Sequence, residues 1–464
     1  MSILLINPPW VKREGNIWKD IASCMPPLGL AQIASFLEER FFKVEILDVH
    51  AERIGLDKIY QHINDKQPWF IGITATTSII NNTMEIARLC KRFLPQTKIV
   101  LGGVHPTVLP DEVLSNESVD FVIRGEGEYT FWELARGDDI REIPGLSYKS
   151  NGVYIHNEAR ALIENLDSLP YPAYHLLPMH RYYPTLGAYK RLPAISMVAT
   201  RGCPGRCTFC YGGVLGEKIR RISPRRLVDE IRLLKDNYGI KEIQFYDDTF
   251  TVFKDEVKEF CTLLLSENID ITWSCFARVD YVDKDMLRIM KDSGCHQVMF
   301  GIESADEGIL KNINKRINLN GAEEAIALTK KLGMDVRATF MLGNPGETLE
   351  TMEKTIQFAI KTSPDVVVFN ITTPYPGTKM FNWAKECGYL NTLDWEKYDL
   401  SHPVMNLPTV SSEMVLRYYQ DAYRRFYLRL PYLWRRLLRF FSWTEVKMNI
   451  SAFKRIWSNP WIKR

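Results

Sequence analysis

At 464 residues the chain exceeds one ordinary core, given roughly 100–200 residues per domain, so two or more domains are expected. Its 59 Lys and Arg against 56 Asp and Glu exclude a general nucleic-acid binder, which carries a strongly basic domain. The charge is uneven: residues 401–464 hold 12 basic and 3 acidic side chains, leaving +9 on the tail and −6 on the rest. Nine cysteines without a pairing pattern suggest a reducing compartment. With no basic leader ahead of Ile3-Leu4-Leu5-Ile6 and no apolar run near the roughly 18 residues of a membrane span, a cytoplasmic protein is expected.

The first 140 residues alternate short β-rich runs with helical patterns, the signal of a parallel sheet covered by helices. Strands are predicted at 3–7, 44–48, 70–74, 99–102 and 121–124, with helices at 28–40 and 84–93. Five strands in this order suit a flavodoxin-like, Rossmann-like α/β domain, whose ligands bind at the carboxyl ends of the strands. The loops there carry Thr76 and Thr77, Gly102 and Gly103, and Gly125 and Glu126. Glycines let a ligand approach the backbone, and small hydroxyls offer donors without bulk. His50, in Asp48-Val49-His50-Ala51-Glu52-Arg53, reads as a capping or surface histidine, and His105 as a loop residue packed by Pro106.

Residues 141–194, with Leu169-Pro170-Tyr171-Pro172, read as an ordered connector, since disorder would want fewer aromatics. Six strand–helix repeats follow over 195–400, with strands at 195–199, 242–246, 271–275, 297–300, 336–341 and 366–370. Helices are predicted between them at 224–237, 256–266, 284–291, 322–331 and 349–361. The first strand delivers Gly202-Cys203-Pro204-Gly205-Arg206-Cys207-Thr208-Phe209-Cys210-Tyr211. Thiolates at this spacing, on a loop opened by glycine and proline, can hold an iron–sulfur cluster. Zinc would want a fourth ligand, and none follows at nearby spacing; a disulfide would leave an odd thiol. Other strand ends present Asp247 and Asp248, Arg278, and Glu303.

The last region, 401–464, reads as a basic, aromatic, helical tail. Ser411 is a plausible cap, and Val415, Tyr419, Ala422, Phe426 and Leu430 recur at helical spacing. Either it closes the barrel mouth, or its arginines lie on an anionic membrane surface, which would place the protein peripherally on the inner face.

The C-x3-C-x2-C run resembles the signature of the radical S-adenosylmethionine (SAM) enzymes. Ahead of it stand Met25-Pro26-Pro27-Leu28-Gly29-Leu30, Gly102-Gly103-Val104-His105-Pro106-Thr107 and Gly125-Glu126-Gly127-Glu128, and with these the chain over about residues 1–400 resembles the cobalamin-binding radical SAM family. The resemblance implies an open (β/α)6 barrel and a [4Fe–4S] cluster on Cys203, Cys207 and Cys210, whose open iron chelates SAM and yields a 5′-deoxyadenosyl radical. It also implies a corrin and its nucleotide tail held by the N-terminal domain. Around SAM it places Phe209, with Arg278 on the carboxylate, Glu303 on the ribose hydroxyls and Asp247 or Asp248 near the ammonium. Arg53 stands where cobalt-ligating domains carry the glycine of Asp-x-His-x-x-Gly, so cobalamin without a protein histidine on cobalt is expected.

The implied activity is transfer of a methyl group, via methylcobalamin, to an unactivated carbon; oxidative ring closure, as in porphyrin-ester cyclases, is the alternative. The basic aromatic tail points to a hydrophobic substrate such as a lipid, terpenoid or tetrapyrrole, and the cluster to a low-potential donor of flavodoxin or ferredoxin type. A non-catalytic cobalamin or cluster sensor would not need six motif-bearing strand ends. A tRNA methylthiotransferase would need a second set of cluster cysteines, which residues 1–140 lack.

Overall fold

We describe the protein from a computed structural model, over residues 2–10, 23–185, 187–212 and 218–438, with side chains to residue 435. The first sheet has the order β2-β1-β3-β4-β5-β6-β7. Its parallel part comprises β1 (Ser2–Asn7), β2 (Lys43–Asp48), β3 (Phe70–Thr74), β4 (Lys98–Gly102) and β5 (Phe121–Ile123). These strands are near-continuous apolar runs because helices cover both faces. Leu30, Ala31, Ala34 and Leu37 of the helix Leu28–Glu38 are buried against one of them.

The first sheet carries two strands beyond those predicted. β6 (Leu146–Ser150) and β7 (Val153–His156) add an antiparallel hairpin to β5, so residues 146–156 continue the first sheet instead of belonging to a connector. Asn151 and Gly152, at φ +50 and +77, form the tight turn that such a hairpin requires.

The second sheet is all parallel and sequential, in the order β15-β14-β13-β12-β11-β8. It comprises β8 (Ala194–Met197), β11 (Glu242–Phe245), β12 (Thr272–Ala277), β13 (Cys295–Glu303), β14 (Asp335–Leu342) and β15 (Val366–Ile371). Between β8 and β11 lie the two-residue pieces β9 (Thr200–Arg201) and β10 (Arg220–Arg221). Helices such as Pro224–Tyr238 and Leu349–Thr362 cover the outer face, giving an open half-barrel. One apolar core runs from the inner strands of the first sheet through the barrel. A second, on the other face of the first sheet, takes in Phe381, Trp395 and Tyr398.

The helix Ser412–Tyr427, capped by Ser411, lies along the free edge of β15. The Tyr427 hydroxyl accepts from Val367 N–H at 3.0 Å and donates to Val367 O at 2.7 Å. The Tyr423 hydroxyl does the same at Phe369, at 3.1 and 2.9 Å, and Tyr432 reaches Asp365 O. Four helical residues rise about 6 Å and two strand residues about 6.6 Å, so tyrosines four apart meet strand residues two apart. Arg425 pairs with Glu353, and Arg429 and Arg435 satisfy the end of Leu349–Thr362 at Ile360 and Ser363. Residues 411–435 are therefore a cap on the barrel; residues 439–464 of the expected membrane-facing tail lie outside the described residues. Among the described residues, no helix is long and apolar enough to cross a membrane.

Candidate active site

The cysteine run is rooted in the β9–β10 ribbon, where Arg201 pairs with Arg220 and Thr200 with Arg221. Its base is held by Asp247, at the end of β11, which accepts from the Ala199 N–H at 3.0 Å, the Thr200 N–H, and the Thr200 hydroxyl at 2.6 Å. Its far side is held by Thr208 N–H on Ile313 O at 3.0 Å and Met380 N–H on Thr208 O at 2.9 Å. Phe209, half-buried against Leu310, Ile313 and Met380, anchors the loop on the barrel.

A Cβ built on Gly205 would lie 3.3 Å from Cys203 Sγ and 3.9 Å from Cys207 Sγ, so both sulfurs face one space that glycine keeps open. Burial raises the half-buried Cys207 thiol, and the neighbouring Asp248 raises the exposed Cys210. Such thiols give up their protons when they bind a metal. Among the described residues, no three His, Cys, Asp or Glu side chains converge on a single ion. The thiolates that hold an iron–sulfur cluster bind separate irons.

Arg278 pairs Nε and Nη2 with Asp280 at 3.0 and 2.9 Å, and its Nη1 lies 3.7 Å from the Gly205 Cβ position, so the guanidinium borders the sulfur space. Glu303 ends β13 at φ +72, a left-handed conformation that costs a side-chain-bearing residue and clusters at functional sites. Its carboxylate accepts from Lys315 Nζ at 2.8 Å, with both side chains about nine-tenths buried. Burial alone would lower the Lys315 pKa, but Glu303 and Cys207 hold it above the ordinary lysine value. Asp248 is exposed beside Cys210. Burial raises the Asp247 pKa to about 6, and its oxygens accept from the backbone of residues 199 and 200.

A cavity of about 300 Å³ opens between the first sheet and the barrel. Gly29, Thr74, Gly102, Gly103 and Gly125 line it from the first sheet's side, and Arg201, Arg226 and Glu230 from the barrel's side. Gly103, at φ +104, has no room for a side chain, since a Cβ would meet Ala75 O at 2.6 Å. Thr76 is exposed and does not line the cavity. Thr77 is buried, 3.3 Å from His105 Nδ1, and the His105 ring stands edge-on to Trp395 with Nε2 3.4 Å from Glu112. Thr77 and His105 thus tie the first sheet to the segment around Trp395 and are not loop groups open to a ligand. His50 accepts from Trp10 N–H at 3.3 Å, outside the cavity, and Arg53 takes the left-handed φ of +54 at the position of the missing glycine.

Glu126 is likewise engaged by groups of the protein. Although it borders the cavity, its carboxylate accepts from Arg201 Nη1 at 2.6 Å, Arg220 Nη1 at 2.8 and 2.9 Å, and Ile163 N–H at 2.8 Å. Burial alone would raise its pKa, but the Ile163 N–H and the two arginines hold it below the usual carboxylate range. Glu128 takes the second arm of Arg201 at 2.8 Å. The Gly125–Glu128 loop is therefore clamped to the root of the cysteine loop. Arg201, Glu128, Lys315 and Gly29 escaped the sequence reading as site residues, although Arg201 stands only two positions before the first cysteine and Gly29 lies within the Met25–Leu30 run.

Residues 197–359 match the Radical SAM superfamily, and residues 17–135 the B12 binding domain. An uncharacterized methyltransferase of Pyrococcus horikoshii is 38% identical over 92% of this chain and 93% of its own. The anaerobic magnesium-protoporphyrin IX monomethyl ester cyclase of Cereibacter sphaeroides is 26% identical over 94% and 72%. The fold is that of the radical SAM methyltransferase TsrM from Kitasatospora setae, solved with cobalamin and a [4Fe–4S] cluster: TM-score 0.69, 18% identity, 84% of this chain and 76% of that one. Two thiols, Cys203 and Cys207, facing one space beside Gly205, with Cys210 on the same loop, and a cavity at the strand ends of a B12-type sheet fit those groups. The chain, with a [4Fe–4S] cluster, SAM and cobalamin as its cofactors, belongs to the cobalamin-binding radical SAM enzymes.

Proposed function

We propose that the protein transfers a methyl group to an unactivated carbon of a hydrophobic substrate, of lipid, terpenoid or tetrapyrrole type. When bound, the cluster with SAM supplies a hydrogen-abstracting radical, and cobalamin supplies the methyl group. The observation that carries the reading is the clamp: Arg201 borders the interdomain cavity and roots the cysteine loop, so the two cofactor sites share one rigid joint. Cys203, Cys207 and Cys210 hold the cluster, and Arg278, Asp248 and the Glu303–Lys315 pair border SAM. Gly29, Gly102, Gly103 and Gly125 admit the nucleotide tail of cobalamin.

At the carboxyl end of β11 the Tyr246 ring, 42% exposed, meets Phe276 edge-on at 5.4 Å, an aromatic wall suited to an apolar substrate. Arg206, Lys311 and Arg316 are exposed around the cysteine loop and suit an acidic one-electron donor of flavodoxin or ferredoxin type. Ring closure is the second reading, favoured by the likeness to the cyclase over 94% of the chain.

The test is anaerobic purification, reconstitution with iron, sulfide and hydroxocobalamin, and turnover with methyl-deuterated SAM on candidate lipids and tetrapyrroles. Label in the product with 5′-deoxyadenosine alongside supports methyl transfer, and an unlabelled, oxidised ring product supports the cyclase. A protein that binds no cobalamin overturns both.

A further inference from the structure

On β14 the side chains alternate. Val336, Ala338 and Phe340 belong to the core, with Phe340 packed on Phe358 of the covering helix, so Arg337 and Thr339 face the concave side of the half-barrel. The neighbours of Arg337 across the sheet are Met299 and Val366. Toward the same side stand Tyr246 and, edge-on to it, Phe276.

Arg337 differs from the other arginines of the site. Arg201 and Arg220 grip Glu126, Arg278 grips Asp280, and Arg425 grips Glu353. The Nε of Arg337, like that of Arg220, is buried with no hydrogen-bond partner, but unlike Arg220 the guanidinium has no carboxylate partner among the described residues. Among the described residues, the groups that bear on its charge are the hydroxyls of Tyr246, Tyr427 and Tyr423, and none is a carboxylate. Burial pulls the guanidinium below its ordinary pKa. A buried cation without a counter-charge is costly, so an acid would be expected beside it if its role were structural.

We propose that Arg337 binds an anionic group of the substrate, a carboxylate or a phosphate, inside the half-barrel while the aromatic wall of Tyr246 and Phe276 packs the apolar part. The inference deepens the reading above, resting on the concave face as the substrate's place, and narrows the substrate to an amphiphile with an anionic end. A guanidinium matches either anion through paired N–H donors.

The test compares thermal unfolding of the reconstituted full-length protein, Arg337→Met and Arg337→Lys, in chloride and with inorganic phosphate or acetate at matched ionic strength. The wild type should gain Tm saturably with one anion, and the better of the two names the group. Arg337→Met should start from a higher Tm and lose the response, and Arg337→Lys should keep a weaker one. A lower starting Tm for Arg337→Met would show a structural cation, and an equal anion response in wild type and Arg337→Met, or none in the wild type, would overturn the assignment. The methyl-transfer reading stands or falls separately, on deuterium in the product.

Discussion

Gly29 offers the cleanest probe of the cavity. It is the second residue of the helix Leu28–Glu38, lines the cavity, and a Cβ added there meets no atom within 4 Å. Its backbone is ordinary helix, so a side chain brings no strain, unlike one at Gly103. Gly29→Ala should leave cobalamin binding near wild type and raise stability by about 0.5 kcal/mol, the lower end of the helical Gly-to-Ala gain. Gly29→Phe should fill much of the roughly 300 Å³. An aromatic group buries roughly 150–250 Å², worth about 4–6 kcal/mol at about 25 cal/mol per Å². Excluding the aromatic base of the nucleotide tail should therefore weaken cobalamin binding by about 10³-fold or more. Titration of hydroxocobalamin followed by visible spectra and equilibrium dialysis measures this, and thermal unfolding of the cobalamin-free variant checks its fold. A folded Gly29→Phe protein that binds cobalamin within about threefold of wild type, against that estimate, would refute the placement of the tail.

Replacement of Cys203, Cys207 or Cys210 by Ala should abolish iron content and 5′-deoxyadenosine formation, read by iron assay and chromatography, while Cys261→Ala, in the core, should retain both. Glu126→Gln, which leaves Arg201 and Arg220 without their shared carboxylate, should cost about 3–5 kcal/mol as a broken buried pair. Where it still folds, it should form 5′-deoxyadenosine without matching product; tight coupling in that variant would show the clamp to be dispensable. Burial raises Glu347 to about 8 despite N–H donors from Gly343 and Asn344. Folded protein therefore keeps this proton after the unfolded chain has released it, and stability should fall as pH rises from about 4.5 to about 8. Glu347→Gln should flatten that slope in urea titrations across the range and stabilise the protein most at pH 8.

The strands of both sheets were legible because each is a short apolar run closed by a turn residue, and the cluster loop because its ligand spacing is local. The β6–β7 hairpin was not, since Val153 is 62% exposed and the strands lack clean alternation, although Asn151-Gly152 signalled the turn. Whether a strand-end acid faces ligand or protein was equally hidden. Asp247 is taken up by residues 47 and 48 positions away, and Glu126 by arginines 75 and 94 positions away, distances over which pattern carries no signal. The partners of the basic tail were hidden for a related reason: seen alone, Arg425, Arg429 and Arg435 suit a membrane face or a cap on the barrel equally, and only the fold supplies the carboxylate and the helix end that they hold.

The row of tyrosines along β15 has a consequence for association between molecules. A half-barrel with an unsatisfied last strand is a template on which a second chain can add its own strand, the usual start of sheet-mediated aggregation. Tyr423, Tyr427 and Tyr432 occupy those positions with single hydroxyls, so the barrel stays open to bulky ligands and closed to neighbours. The match depends on helical phase: one residue inserted between Tyr423 and Tyr427 would turn the second hydroxyl about 100° away and bare Val367 to another copy of the chain.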